Sequence, residues 1–283
     1  MGCALLSFLM LSNRYNAAMA RMFIFGLGYT ASRIAEALRK RSWHVDATGS
    51  AGNVDFADPD AVMAALSEAT HVLSSVPPAD NSDPVLDRYG DALTHSWLGY
   101  LSSTGVYGDT GGAWVDESAP TGTGRRTARA ACDDRWVECG ARVFRLPGIY
   151  GPDRSALDRV RDGKANRIDL PGQVFSRVHV DDIVSGVLAA IDTVAAAGAY
   201  NLGDDLPASS NAVTEEACRL LGVEPPPLQT MDEADLSPMA RGFYAENRRV
   251  AKGKAKRVLG WVPRYPTYRE GLRAIVADFK VQA

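Results

Sequence analysis

The chain has 283 residues, 23% of them charged and 46% hydrophobic, with 31 Lys and Arg against 34 Asp and Glu and a formal net charge of -3. That length allows one large or two modest domains, and the charged fraction is that of a folded chain rather than a disordered one. A balance this close to neutrality excludes a nucleic-acid coat protein, and no apolar run reaches the roughly 18–20 residues needed to span a bilayer. Neither nucleic acid nor a membrane is therefore an expected partner.

Residues 1–21 read separately from the rest of the chain. Cys3 to Leu11 is a short apolar run, and Ala18-Met19-Ala20 has the form of a signal cleavage site, but no positive charge precedes the run. Met19 and Met22 could each serve as a start. The expectation is an over-extended start or a loosely ordered tail. The cysteines, Cys3, Cys132, Cys139 and Cys218, include no C-x-x-C pair and no cysteine-histidine cluster with zinc spacing. They read as reduced thiols of a cytoplasmic protein that holds no metal.

Met22 to Phe25 has the apolar texture of a buried strand, and Gly26-Leu27-Gly28-Tyr29-Thr30-Ala31 comes directly after it. Ile34, Ala35, Ala37 and Leu38 then recur at helical spacing among charged residues. Strands are predicted at Trp43–Thr48, His71–Val76, Trp97–Ser102 and Ala141–Leu146. A helix is predicted at Ala61–Leu66, opened by Asp58-Pro59. This alternation predicts an α/β fold with a doubly wound parallel sheet. After Tyr150-Gly151-Pro152 turn residues become frequent. Helices are predicted at Ile183–Ile191 and Ala212–Leu221, and a strand at Ala199–Leu202, in a smaller C-terminal lobe.

The pattern G-x-G-x-x-A, set between a strand and a helix, suits a dinucleotide pyrophosphate. Gly26 permits the tight turn, Gly28 removes a side chain that would block the phosphates, and Ala31 allows close helix-strand packing. The rival reading is an ordinary glycine turn. Asp46 lies at about the distance of a ribose-binding acid, but mid-strand, where a polar residue at a sheet edge is the alternative. The strand end is Gly49-Ser50, small residues that leave room for a 2′-phosphate within reach of Arg33. NADP is therefore expected over NAD.

Four segments then occur in order: Phe25 to Ala31, Tyr100-Leu-Ser-Ser-Thr-Gly-Val-Tyr-Gly-Asp109, Arg145-Leu-Pro-Gly-Ile-Tyr-Gly-Pro152 and Val178-His-Val-Asp-Asp-Ile183. Together they resemble an extended short-chain dehydrogenase/reductase of the NAD-dependent epimerase/dehydratase type, over nearly the whole chain from Met22. The resemblance implies a Rossmann-type core over 22–150 and a mainly substrate-holding lobe over 151–283, with segments returning to the core. It implies that Ser103, with Thr104 beside it, hydrogen-bonds the reacting carbonyl or alcohol. A capping or turn serine is the plain alternative. It also implies that Tyr29 and Thr30 lie on the cofactor turn with Ser50 near it, that Asp55 meets the adenine amine, that Ser75 and Val76 lie along the cofactor, and that Pro147 borders the nicotinamide. A homodimer is likewise implied.

One departure stands out. The family places a Tyr four residues before a Lys, and here Arg125 and Arg129 occupy those positions. Arg129 can still donate to ribose hydroxyls, but a guanidinium holds its proton too tightly to be a general acid. Arg125 could instead orient an anion or stabilise an oxyanion. Tyr107 reads as structural, while Tyr29, Tyr150 and Tyr244 remain candidate donors. Arg177 is expected to face substrate. His179 with Asp181 and Asp182 could form a base and paired carboxylates, although Asp at a helix start is more simply a cap. The stretch from Arg241 to Arg273 is basic, either as a solvated helix face or as a contact for an anionic substrate, with Arg241 and Tyr244 the residues in question. The expected activity is that of an NAD(P)-dependent oxidoreductase or epimerase acting on a polar, anionic small molecule by an atypical mechanism. A non-catalytic NAD(P)-binding redox sensor is the alternative.

Overall fold

The structure, a computed structural model, describes residues 20–282. Of the expected N-terminal extension only Ala20 and Arg21 fall within it, and Cys3 lies outside the described residues. The strands are β1 (Arg21–Phe25), β2 (His44–Ala47), β3 (His71–Ser74), β4 (Trp97–Ser103), β5 (Trp114–Val115), β6 (Arg142–Leu146), β7 (Gly148–Tyr150), β8 (Arg167–Ile168), β9 (Arg177–His179), β10 (Gly198–Asn201), β11 (Leu228–Gln229) and β12 (Arg249–Val250). The α-helices are α1 (Tyr29–Lys40), α2 (Pro59–Glu68), α3 (Pro84–Tyr89), α4 (Thr127–Glu138), α5 (Ala156–Arg161), α6 (Val180–Asp192), α7 (Ser210–Leu221), α8 (Pro238–Tyr244), α9 (Gly253–Leu259) and α10 (Tyr268–Gln282).

Six strands form one sheet in the order β10-β6-β4-β3-β1-β2. The pairs β1–β2, β1–β3 and β3–β4 are parallel. Strand β1 is buried at Met22, Phe23, Ile24 and Phe25 in succession, the pattern of a strand covered on both faces. Because β2 lies on one side of β1 and β3 on the other, the winding reverses at β1. The crevice at the carboxyl end of such a strand is where open α/β sheets take their ligands. The architecture is the expected α/β, Rossmann-type one. The predicted strand Trp43–Thr48 is shorter, because β2 is the sheet edge and Thr48 makes only an isolated parallel bridge to Val54.

The chain divides into two compact units. The first is the described part of Met1–Ser102 with Cys132–Val143 and Ala196–Gly198. Its core stacks Phe25 on Tyr89 at 5.7 Å and Tyr100 on Trp136 at 5.2 Å. Asp83, fully buried, accepts from the Val85 and Leu86 amides at the start of α3 and from the Trp136 indole at 2.8 Å. The second unit is Ser103–Ala131, Phe144–Ala195 and Ala199–Ala283. There Tyr150, Leu157, Val213, Ala217, Tyr268, Leu272 and Ile275 form a core among α5, α7 and α10.

Helix α6 starts earlier than expected, and its cap is neither aspartate. The His179 ring accepts from the Asp181 amide, leaving Asp181 in the first turn. Asp182, 1% exposed, instead turns inward and accepts from the Arg264 and Tyr265 amides at 2.6 and 3.1 Å. Its job is to tie a loop to the helix, which explains two adjacent aspartates without a catalytic pair.

Candidate functional site

In the first unit the glycine turn closes β1 and opens α1. Gly26 has φ +83°, the left-handed region, and a Cβ there would stand 3.0 Å from Val76 Cγ2. Gly28 differs, because a Cβ on it would meet no protein atom within 4 Å. No packing demand of the protein asks for glycine at that exposed position, so the turn leaves a space there that a ligand can use. Helix α1 begins at that point with no side-chain cap and no acid in its first turn. Neither a capping side chain nor a first-turn acid answers the positive end of its dipole, which suits an outside acceptor. Ala31 and Thr30 are buried, and Tyr29 is half-buried beneath the Arg33 guanidinium, 5.5 Å from the ring centroid.

The neighbouring strand ends gather around this turn. The Ser75 amide donates to the Phe25 carbonyl at 2.8 Å, and Val76 touches Gly26. The Leu27 amide donates to the Thr48 carbonyl at 2.8 Å, and a Cβ on Gly49 would stand 3.0 Å from the Leu27 amide, so the segment leading to exposed Ser50 abuts the turn. Gly26, Gly28, Tyr29, Thr30, Ala31, Ser75 and Val76 thus lie together at the end of β1. Asp55 is exposed and accepts from the Ala57 amide in a local turn. Asp46 is spoken for: it meets Arg21 at 3.4 Å, His44 at 2.9 Å and the Asn53 side-chain amide at 2.8 Å. That cluster is the polar edge of the sheet.

In the second unit Ser103 ends β4 and caps the short 3-10 turn Thr104–Tyr107, its Oγ accepting from the Gly105 amide at 3.1 Å. The hydroxyl proton is left to donate elsewhere. Thr104 is buried beside it. Arg126 lies against the same turn, since a Cβ on Gly105 would stand 2.6 Å from Arg126 Cδ. Arg125 approaches Glu246 at 3.7 Å, and both Arg125 and Arg126 lie over the Phe243 ring, at 5.2 and 5.6 Å. Burial holds the Arg126 guanidinium below its usual pKa, and the charges of Arg125 and Arg129 push the same way. Arg129 stands in the first turn of α4. Sequence reasoning does not reach Arg126 or Phe243. The signal it offers is a third arginine between the two expected ones.

Pro147, the next expected residue along the chain, follows β6 and packs near Gly203, where a Cβ would meet its ring at 3.7 Å. Arg177 is half-buried and donates to the carbonyls of Phe175 and Ala208 at 2.9 and 2.8 Å. Arg241 pairs with exposed Asp232 at 3.0 Å, and Tyr244 packs edge-on to Phe175 at 5.6 Å. Tyr107 is buried and structural: its hydroxyl donates to Asn201 at 2.8 Å and accepts from Arg145 at 3.0 Å. Burial pushes the Tyr150 hydroxyl upward too, with Asp204 and Asp182 adding to it. The basic stretch is not one solvated face, because Lys252 is buried on Asp205 at 2.6 Å and Arg248 holds Glu246 at 2.9 Å.

Among the described residues no group of His, Cys, Asp and Glu could hold a metal ion, and no helix is long and apolar enough to cross a membrane.

No protein-family model matches the chain. A conserved protein of unknown function from Silicibacter pomeroyi DSS has a similar structure, with a TM-score of 0.80 and 37% identity over 92% of this chain and 99% of that one. A 3-diazoavenalumate denitrifying reductase from a Streptomyces species is 33% identical over 141 residues; these are 46% of this chain and span only 45% of the reductase. Other solved neighbours carry the names of epimerases and dehydratases. The dTDP-glucose 4,6-dehydratase of Bacillus anthracis in complex with NAD has a TM-score of 0.74 at 16% identity, covering 93% of this chain and 97% of that one. The human epimerase family protein SDR39U1 with NADPH has a TM-score of 0.72 at 15% identity, covering 91% and 99%. These two share the fold.

Proposed function

Because the chain belongs to the same family as the conserved Silicibacter pomeroyi protein and shares the fold of NAD-dependent epimerases and dehydratases, we propose that it is an NAD(P)-dependent oxidoreductase or epimerase acting on an anionic small molecule. The observation that carries this reading is the open space at Gly28 before an uncapped helix, at the point where the sheet reverses its winding. Backbone amides and a helix dipole there suit a pyrophosphate. The reductase name of the Streptomyces relative supports the oxidoreductase branch. NADP is favoured over NAD, since the segment after β2 presents the small, uncharged Gly49-Ser50 and Asp46 is held in its edge cluster.

A nicotinamide nucleotide supplies or accepts the hydride when bound. The chain's own residues do the rest. Ser103, with its oxygen already accepting from Gly105, has its proton free to donate to a carbonyl or alcohol oxygen of the substrate. Arg129 stands at the position where the resemblance puts a lysine, and its guanidinium would offer donors of the same kind to a ribose. Arg125 steadies negative charge with its guanidinium rather than delivering a proton, so the mechanism dispenses with the usual tyrosine.

Titration of the full chain with NADPH and NADH, followed by nicotinamide fluorescence, tests the proposal. One nucleotide is expected to bind, and Gly28→Asp is expected to weaken it by about 100-fold or more by filling the turn with a like charge. A Cβ at Gly28 meets no protein atom within 4 Å and the residue has φ -89°, so the variant is expected to keep the fold. Failure of both nucleotides to bind would sink the proposal. Binding with no turnover on any carbonyl or sugar substrate would favour the redox-sensor reading instead.

A further inference from the structure

The second unit crowds guanidiniums around one half-buried arginine. Arg126 is half-buried and feels the like charges of Arg125, Arg129 and Arg248. Glu246 is the acid whose charge reaches it, and both Glu246 oxygens are already engaged. One accepts from the Arg125 amide at 3.2 Å, and the other holds Arg248 at 2.9 Å. Arg248 in turn donates to the Gly108 carbonyl at 2.6 Å. Crowding cations in a partly desolvated place is costly without an anion to answer them.

Phe243 sits in the middle of this cluster and is 46% exposed. Two guanidiniums lie over its ring at 5.2 and 5.6 Å. A lone phosphate would use the guanidiniums and gain nothing from the exposed ring. An arene bearing a carboxylate would use both, because guanidinium forks match a carboxylate and aromatic rings pack edge-on or offset against one another. Arg126 also leans on the Gly105 turn that Ser103 caps, so the anion would be held next to the serine hydroxyl.

We propose that Arg125, Arg126 and the exposed ring of Phe243 form the recognition site for an aromatic carboxylate. The two guanidiniums take the carboxylate and Phe243 packs against the arene. This rests on reading the Ser103 segment as the substrate side of the enzyme. It makes Arg126 and Phe243 specificity-determining residues.

The test is calorimetric titration of the full chain, without nucleotide, using cinnamate, acetate and inorganic phosphate as probes. Cinnamate is expected to bind more tightly than acetate by about tenfold or more, the share that ring packing adds. Phe243→Ala should remove that advantage and leave acetate unchanged. Arg126→Gln should weaken cinnamate by about tenfold or more through loss of a charge-assisted contact. Phe243 is exposed, so its variant keeps the fold even if the Arg126 variant does not. Cinnamate binding no tighter than acetate, or indifferent to Phe243→Ala, would overturn the site. Phosphate binding more tightly than cinnamate would overturn the aromatic carboxylate and leave a phosphate site. NADPH binding, measured on the same variants, separates the two proposals: intact nucleotide affinity with no cinnamate site defeats this inference alone.

Discussion

The two units build their candidate sites from different material. In the first, the site is backbone: a glycine turn, an uncapped helix start and two strand ends, with Gly28 leaving space that no protein atom fills. In the second it is side chains: three arginines, a phenylalanine and a serine drawn from separate segments. Buried acids are anchored in more than one way. In the first unit Asp83 accepts from an indole and two amides, and Asp133 accepts from the Ser102 hydroxyl. The second unit uses both means: Asp182 is answered by two amides, whereas Lys252 meets Asp205 and Glu246 meets Arg248. A backbone site tolerates many sequences that keep its glycines. A side-chain site can be retuned by one substitution, and fold neighbours with different substrates are expected to differ there.

The largest effect should come from Asp83→Ala, which strips α3 of its cap and leaves the buried Trp136 indole without an acceptor. A loss of about 3 kcal/mol is expected, from cap and unsatisfied donor together. Asp182→Ala in the second unit loses two amide bonds from the 264–265 loop but no buried donor of comparable size, and about 2 kcal/mol is expected. Denaturant unfolding of both variants measures the difference. Equal losses would break the distinction between neutral and loop-tying anchors.

A sharper contrast lies in pH. Burial, with Arg142 and His95 adding to it, lowers the His71 pKa in the first unit from 6.5 to about 4. Burial raises the Asp204 carboxyl in the second from 3.8 to about 7, against the pull of Arg177 and Lys252, and one of its oxygens is buried without a hydrogen-bond partner among the described residues. Between pH 4 and 6.5 the unfolded chain holds the extra proton at His71, so that group's contribution rises with pH. Between about pH 4 and 7 the folded chain holds the extra proton at Asp204, so that contribution falls as pH rises and levels off above 7. Each slope is at most about 1.4 kcal/mol per pH unit, and the two oppose each other where they overlap. Asp204→Asn should therefore gain stability over wild type as pH climbs from 4 to 7, and His71→Gln should gain as pH falls below 6.5. Difference curves of the two variants with the same sign would remove this account.

The backbone site is legible in the sequence because the whole motif is local. Strand, turn and helix lie within Arg21–Lys40, where Gly26 takes a positive φ and Gly28 leaves the turn open. Ser75 and Val76 join it because a parallel strand beside β1 must end at the same level. The side-chain site is legible only in part. Arg125 and Arg129 are found by position, but Arg126 and Phe243 meet only after α8 folds back toward the segment before α4, which no periodicity encodes. Helix α3 carries the start signal Asp83-Pro84, the same as Asp58-Pro59 at α2, but its six residues are too few for an apolar periodicity to mark it. The α6 cap departs from expectation because a histidine ring, turned to accept, does what the neighbouring aspartates are better known for.

Ser103→Ala separates the serine's two duties. Removing the cap on Gly105 should cost about 1 kcal/mol whatever the serine does in catalysis. Loss of turnover beyond that stability effect, restored by Ser103→Thr, marks the hydroxyl as a donor to substrate. Loss of stability with turnover intact would leave only the cap.

The smallest effect is expected at Arg241. Its partner Asp232 is 94% exposed, and such surface pairs contribute well under about 1 kcal/mol. Arg241→Ala should leave the denaturation midpoint in place and, unlike Arg126→Gln, leave cinnamate binding unmoved. If instead KM for an acidic substrate rises while kcat holds, the anion site extends along α8 beyond Phe243. The recognition surface would then be a longer cationic strip, and the division between a compact side-chain site and its solvated surroundings would have to be redrawn.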